Sequence, residues 1–266
     1  MKLILSALLL ASVSCSSQKK EVSEAQLPQT LNEAVASSFR SPENMKRDLY
    51  RHPLETLHFF GVEPHMTVVE IWPSGGWYTE ILAPYLAQKG KYVIADPAAD
   101  PNGYTNARKI WMEKHPEIKS KVMTSVFMPT GEEIVPAGTA DMVLTFRNVH
   151  NWLPVSSQEN AFKIFFKALK PGGVLGVVEH RASSKVKFNP KSGYVKEAEV
   201  IRMAKLAGFV LKEKSEINAN PKDSTNHPEG VWTLPPRLRL GEKDKNKYLA
   251  IGESDRMTLK FVKPLK

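Results

Sequence analysis

The sequence predicts an α/β fold, a doubly wound sheet of seven strands, on three observations. Short apolar runs rich in β-branched residues alternate with helix-period segments from Thr67 onwards. The run Thr67-Val68-Val69-Glu70-Ile71 passes through Trp72-Pro73-Ser74-Gly75-Gly76 into an amphipathic helix. A strand, a glycine loop and a helix N-terminus in that order hold nucleotide-like ligands, because the glycines admit close approach and the first helical amides are free. A second apolar run, Tyr92-Val93-Ile94-Ala95, ends in Asp96, 20 residues past Gly76. An acid there can accept hydrogen bonds from ribose hydroxyls.

Thr30-Leu31-Asn32-Glu33 is a capping box opening a short helix, with Leu31, Ala34, Val35 and Phe39 on one face. Ser41-Pro42-Glu43 starts a second helix, with proline at its first position, running towards Tyr50-Arg51-His52. A third, Pro53–Phe60, stops at Gly61. These helices are expected across the sheet's edge or the mouth of its ligand site. Behind the glycine loop, Tyr78, Ile81, Leu82, Tyr85 and Leu86 recur at helical spacing, and after Asp96 a loop leads to a helix over Asn106–Lys114. Residues 121–127, 141–146, 174–178 and 209–217 read as the third to sixth strands. Helices over 159–169, closed by Lys170-Pro171-Gly172-Gly173, and over 196–207, stopped by Gly208, separate the last three. Residues 218–253 are polar and Pro-rich, and 257–262 alternate as an edge-type seventh strand would. Strands alternating with helices imply a mostly parallel sheet covered on both faces, with the ligand crevice at the strands' C-terminal ends.

The 266 residues suit one large domain, and 42% apolar with 24% charged residues is ordinary for a soluble globular chain. The start differs. Lys2, an apolar stretch over 3–11 and Ser12-Val13-Ser14-Cys15 make a secretory signal, too short to span a bilayer as a stable helix. Cys15, the only cysteine, resembles the lipidated residue of bacterial lipoprotein signals, although Ser12 stands where an aliphatic residue is usual. The expected organisation is a signal over 1–14, a lipidated tether over 15–29, and a domain over 30–266 with N-terminal helices (30–61) and a long insertion (218–254). The net charge of +9 is spread along the chain without interleaved aromatics, which argues against nucleic acid. A basic surface beside an anionic membrane explains it better, and the expected location is the bacterial cell envelope.

Glu-Ile-Trp-Pro-Ser-Gly-Gly-Trp-Tyr-Thr-Glu-Ile-Leu (70–82), Asp96, the Asp-led fourth strand, Phe-Arg-Asn-Val-His-Asn-Trp (146–152) and Lys-Pro-Gly-Gly before the fifth strand resemble class I S-adenosylmethionine-dependent methyltransferases. The first and fourth of these segments resemble a poorly characterised bacterial branch of that family. The resemblance spans residues from about Arg40 to the C-terminus. It implies a Rossmann-like sheet whose last strand is antiparallel, S-adenosylmethionine as cofactor and a small-molecule acceptor. It places the cofactor's methionine end on Glu70, Ser74, Gly75 and Gly76, its ribose on Asp96, and the methyl-transfer site near Asn148. Two departures stand out. The broad pattern has glycines at Trp72 and Ser74, and the acid that touches the adenine amine after the third strand is missing from Phe127-Met128-Pro129.

His150, at the crevice between Asn148 and Asn151, is a candidate base, since imidazole titrates near neutrality. A histidine hydrogen-bonded to a neighbouring loop is the plainer alternative. Methyl transfer can also proceed by positioning alone. His180 and Arg181 end the fifth strand on the same sheet edge and are candidate substrate contacts, as is Tyr50; for the first two, a salt bridge with Glu179 or a helix is at least as good a reading. Trp77 and Tyr78 could pack on a ligand or join the core. His52, His58 and His65 lack ligand spacing, so no metal site is expected.

Two functions follow. One is a small-molecule methyltransferase; the other is a lipid-anchored, non-catalytic protein that keeps the architecture and holds another nucleoside-like or acidic ligand. The signal favours the second, because S-adenosylmethionine is made in the cytoplasm. The loop and Asp96 favour the first.

Overall fold

The computed structural model describes residues 26–153, 157–187 and 189–266. The signal and Cys15 lie outside them. Seven strands form one sheet in the order β3-β2-β1-β4-β5-β7-β6. They are β1 (Thr67–Ile71), β2 (Lys91–Asp96), β3 (Val122–Val126), β4 (Ala140–Phe146), β5 (Leu169–His180), β6 (Val210–Ser215) and β7 (Arg256–Val262). The first five are parallel, and β7 runs antiparallel to both β5 and β6.

The helices are α1 (Leu31–Val35), α2 (Pro42–Met45), α3 (Asp48–Arg51), α4 (Pro53–Phe60), α5 (Thr79–Leu86), α6 (Asn106–Lys114), α7 (Pro116–Lys119), α8 (Val149–Trp152), α9 (Gln158–Ala168), α10 (Glu197–Leu206) and α11 (Lys245–Ile251). Thr30 caps α1 through the expected reciprocal bonds with Glu33. Strand pleating sends Val69 and Ile71 into one core with Phe162 and Phe165 of α9. It sends Val68 into the other, with Leu57, Phe60 and the apolar face of α5.

Two expectations about the last strands change. β7 is interior, between β5 and β6, and the exposed β6 is the edge. The polar residues of β7 that read as solvent-facing lie under α4 instead. Thr258 shares the Asn218 amide with Thr56, and the Lys260 ammonium donates to the Phe59 carbonyl at 3.0 Å. Strand β5 also begins earlier than expected, at Leu169, taking in Lys170 to Gly173.

The sheet order reverses at β1, whose neighbours are β2 and β4. Loops leaving β1 and β4 diverge there and open a crevice at their C-terminal ends.

Candidate active site

The glycine loop makes left-handed turns at the two positions where this chain has other residues in place of the broad pattern's glycines, and again at Gly76. Trp72 and Ser74 have φ of 45° and 50°, and Gly76 has 84°. Side chains tolerate this poorly, so surrounding contacts must hold them. The Trp72 indole turns away from the loop, packs edge-on to Trp152 at 5.9 Å, and donates Nε1–H to the Phe127 carbonyl at 3.0 Å. The loop amide of Trp72 donates to Ala95 and that of Gly76 to Pro73, while no backbone acceptor takes the amides of Ser74, Gly75, Trp77 and Tyr78. Four free donors at a helix entrance favour an anionic group.

Those loop residues line a cleft of about 1260 Å³. Its other walls come from α2 and α3, the loop after β2, the turn after β4, and residues 231–239. Of the N-terminal helices, α1 and α4 pack into the core, while α2 and α3 border the cleft. Glu80 anchors them, accepting from the Ser41 amide at 2.9 Å and from its hydroxyl at 3.0 Å. Trp77 and Tyr78 are buried and also touch the cleft; Tyr78 stacks on Phe146 at 3.7 Å.

Glu70 is buried at the end of β1, where its Oε2 accepts from the Tyr92 hydroxyl. Burial pushes its carboxyl up to about 7, although the Tyr92 hydrogen bond pulls the other way. Asn148 is buried and donates to the Ile71 carbonyl at 2.8 Å and to the Thr145 hydroxyl at 3.3 Å. It braces the diverging ends of β1 and β4 against each other.

Asp96 is the acid whose surroundings depart furthest from expectation. Arg108 of α6 donates to its Oδ2, and its Oδ1 is buried with no partner. The Arg108 stem lies under the glycine loop, where a Cβ on Gly76 would come within 2.7 Å of Arg108 Cγ. Gly76 is therefore demanded by Arg108 as well as by its own φ.

His150 and His180 both reach the cleft, with ring centroids 5.4 Å apart. His150 Nδ1 lies 3.1 Å from Oε1 of Glu179, which is fully buried. The His150 amide donates to Oε2 of the same carboxylate at 3.2 Å. A carboxylate on Nδ1 fixes the tautomer and leaves Nε2 as the free basic nitrogen. His180 Nδ1 sits 2.6 Å from the Ser254 hydroxyl. Burial, then the charges of His150, Arg256 and Arg147, hold His180 well below its ordinary pKa, so it is neutral at physiological pH.

His150, Glu179 and His180 also bring three possible metal-ligand atoms within 4.8 Å of one another, a trio the sequence reading did not consider. Both Glu179 oxygens already accept, Oε1 from the His180 amide at 2.7 Å as well as from His150. Six arginines line the same cleft. A divalent cation would have to break those bonds against that charge, so a histidine–carboxylate pair is the better reading.

Two candidate substrate contacts are directed elsewhere. Arg181 is bound by Asp255 at 2.9 Å and by Glu216 at 2.6 Å, off the cleft. The Tyr50 ring packs on Gly252, and its carbonyl accepts from Arg256 at 2.9 Å. Glu179, expected as an ion-pair partner of Arg181, serves His150 instead, and its place at the end of the strand beside the one leading to His150 was a usable signal. Nothing local marks Arg108, on a helix 12 residues beyond Asp96.

No family model matches the chain, and no curated protein matches it. Solved structures do. A SAM-dependent methyltransferase from Aquifex aeolicus aligns with 88% of this chain and 98% of its own, at 16% identity and a TM-score of 0.55. The fold is that of the class I methyltransferases. The [4+2]-cyclase SpnF aligns equally well, over 89% of this chain and 92% of its own, at 14% identity and a TM-score of 0.56. The O-methyltransferase NcsB1 from neocarzinostatin biosynthesis, in complex with S-adenosylmethionine and a naphthoic acid, matches 82% of this chain with 55% of its own, at 13% identity and a TM-score of 0.52. A cyclase and methyltransferases on one architecture show that fold alone does not name the reaction.

Proposed function

We propose that this chain is an S-adenosylmethionine-dependent methyltransferase acting on a small molecule. One observation carries the reading: four unpartnered loop amides and the free face of His150 open onto the same cleft. The residues suit the cofactor at two ends. The bare amides and Glu70 suit its amino-acid end; Asp96 stands behind the cleft lining, which resumes at Pro97, and its orphaned Oδ1 would serve a ribose hydroxyl once uncovered. Bound there, the cofactor would supply a methyl group carried on sulfonium. His150 Nε2 would take the proton from an acceptor hydroxyl or amine, while Glu179 stabilises the imidazolium that results. Asn148 keeps the β1 and β4 loops at fixed separation, which holds acceptor and cofactor in line.

A second reading, the non-catalytic binding protein, is motivated by two contacts. The carbonyl of Phe127, where the family acid meets the adenine amine, is taken by Trp72, and one oxygen of Asp96 is taken by Arg108. Both contacts would compete with the cofactor's adenine and ribose, as expected if the crevice held some other ligand. Titration with S-adenosylmethionine and S-adenosylhomocysteine, followed by tryptophan fluorescence, separates the two. Saturable micromolar binding weakened about tenfold by Asp96→Ala supports the enzyme. Folded protein that responds to neither compound supports the binding protein.

We further propose attachment to the cell envelope through a lipid on Cys15, from the signal pattern of residues 1–15. Among the described residues no helix is long and apolar enough to cross a membrane.

A further inference from the structure

Three guanidiniums bind one carboxylate at the cleft wall, and a fourth lies within reach of their charge. Arg47 precedes α3, Arg51 ends it, Arg147 follows β4, and Arg256 opens β7. Glu253 accepts from Arg47 at 2.6 Å, from Arg51 at 3.3 Å, and from Arg256. Burial alone would raise the Glu253 carboxyl, but Arg51, Arg256 and Arg47 together hold it well below the usual range. One carboxylate cannot neutralise four cations, so three charges remain in excess.

The excess sits on donors that lack acceptors. Arg51 Nη1 and Arg256 Nε are buried without a partner, in residues 5% and 2% exposed. Arg147 has φ of 61°, and among the described residues its guanidinium forms no hydrogen bond or ion pair. Burial, and then Arg256, lower its pKa to about 10. Among the described residues none of the other acids along the cleft pairs with these arginines: Glu70 is bound by Tyr92, Glu80 by Ser41 and Asp100 by Thr105, and Glu43 forms no ion pair. Buried, mutually repelling and unsaturated cations destabilise a fold unless something binds them. Guanidiniums in such a group match carboxylate and phosphate oxygens in charge and geometry.

We propose that Arg47, Arg51, Arg147 and Arg256 form an anion subsite that takes the carboxylate or phosphate of a small-molecule ligand. Ser254, next to Glu253 in sequence, binds His180, whose ring neighbours His150, so the subsite adjoins the proposed base. As a statement about the methyl acceptor this rests on the methyl-transfer reading. Anion binding itself is measured without the cofactor, so either idea can fail alone.

The test is calorimetric titration of the full chain with inorganic phosphate and with acetate, at constant ionic strength. Arg147→Met is the deciding variant, because Arg147 has no protein partner to lose. It is expected to bind anion about tenfold more weakly while melting no lower than wild type, since repulsion is relieved. Arg202→Met, on the surface of α10, is expected to bind as wild type does. Saturation by phosphate alone or by acetate alone supports the subsite and selects its group. Saturation by neither, or undiminished affinity in Arg147→Met, overturns it.

Discussion

His150 gains its proposed role from Glu179, because a ring free to flip would present either nitrogen to the cleft. His150→Ala should lower turnover by roughly 10²–10⁴-fold with little change in cofactor affinity. The readout is S-adenosylhomocysteine release with a bacterial small-molecule extract as acceptor; unchanged turnover would leave positioning as the whole of catalysis. Glu70 gives a prediction in pH. Its folded carboxyl titrates near 7 against an ordinary 4.5, so the native state holds the proton more tightly than the unfolded chain. Its contribution is favourable below about 4.5 and is lost as pH rises to 7, a change of a few kcal/mol by order of magnitude. Glu70→Gln keeps an oxygen for the Tyr92 hydroxyl without the charge. Calorimetry should find its melting temperature gaining on wild type between pH 5 and pH 8; parallel curves would mean that Glu70 stays ionised.

At the scale of elements, the glycine loop shows both what sequence discloses and what it hides. Pro73 to Gly76 after an apolar run is readable as a turn into a helix, and the free amides follow from helix geometry. The Arg108 stem beneath Gly76 is a contact between distant segments, and no local pattern announces it. Gly76→Ala should therefore cost more than its φ alone: about 1–3 kcal/mol of backbone strain, with the Arg108–Asp96 pair displaced as well. Chemical denaturation of this variant beside Gly76→Ala/Arg108→Ala checks the claim, because the double variant should recover part of the loss. Strand β7 teaches the same lesson. Alternation of apolar and polar residues was legible, but a polar face buried under α4 looks like a solvent face until α4 is placed over it.

For the whole molecule, seven strands in alternation with helices were enough to set the architecture and to locate the crevice, because topology places it at the strand ends. The cation cluster was not legible. Arg47 and Arg51 flank α3, Arg147 and Arg256 come from two distant stretches, and the four meet only in the folded chain. The proposed anchor also belongs to this scale. Cys15→Ser should release the protein from membranes on fractionation, and retention would exclude lipidation at that residue. The occupant of the crevice is best read from a crystal structure of the protein with S-adenosylhomocysteine. The ribose should rest on Asp96 Oδ1 and the amino-acid end on the amides of Ser74 and Gly75, with the Trp72 indole withdrawn from the Phe127 carbonyl. A crevice without ligand at saturating concentration, with Trp72 and Arg108 still in place, would contradict the methyltransferase reading and leave an anion-binding protein on a borrowed architecture.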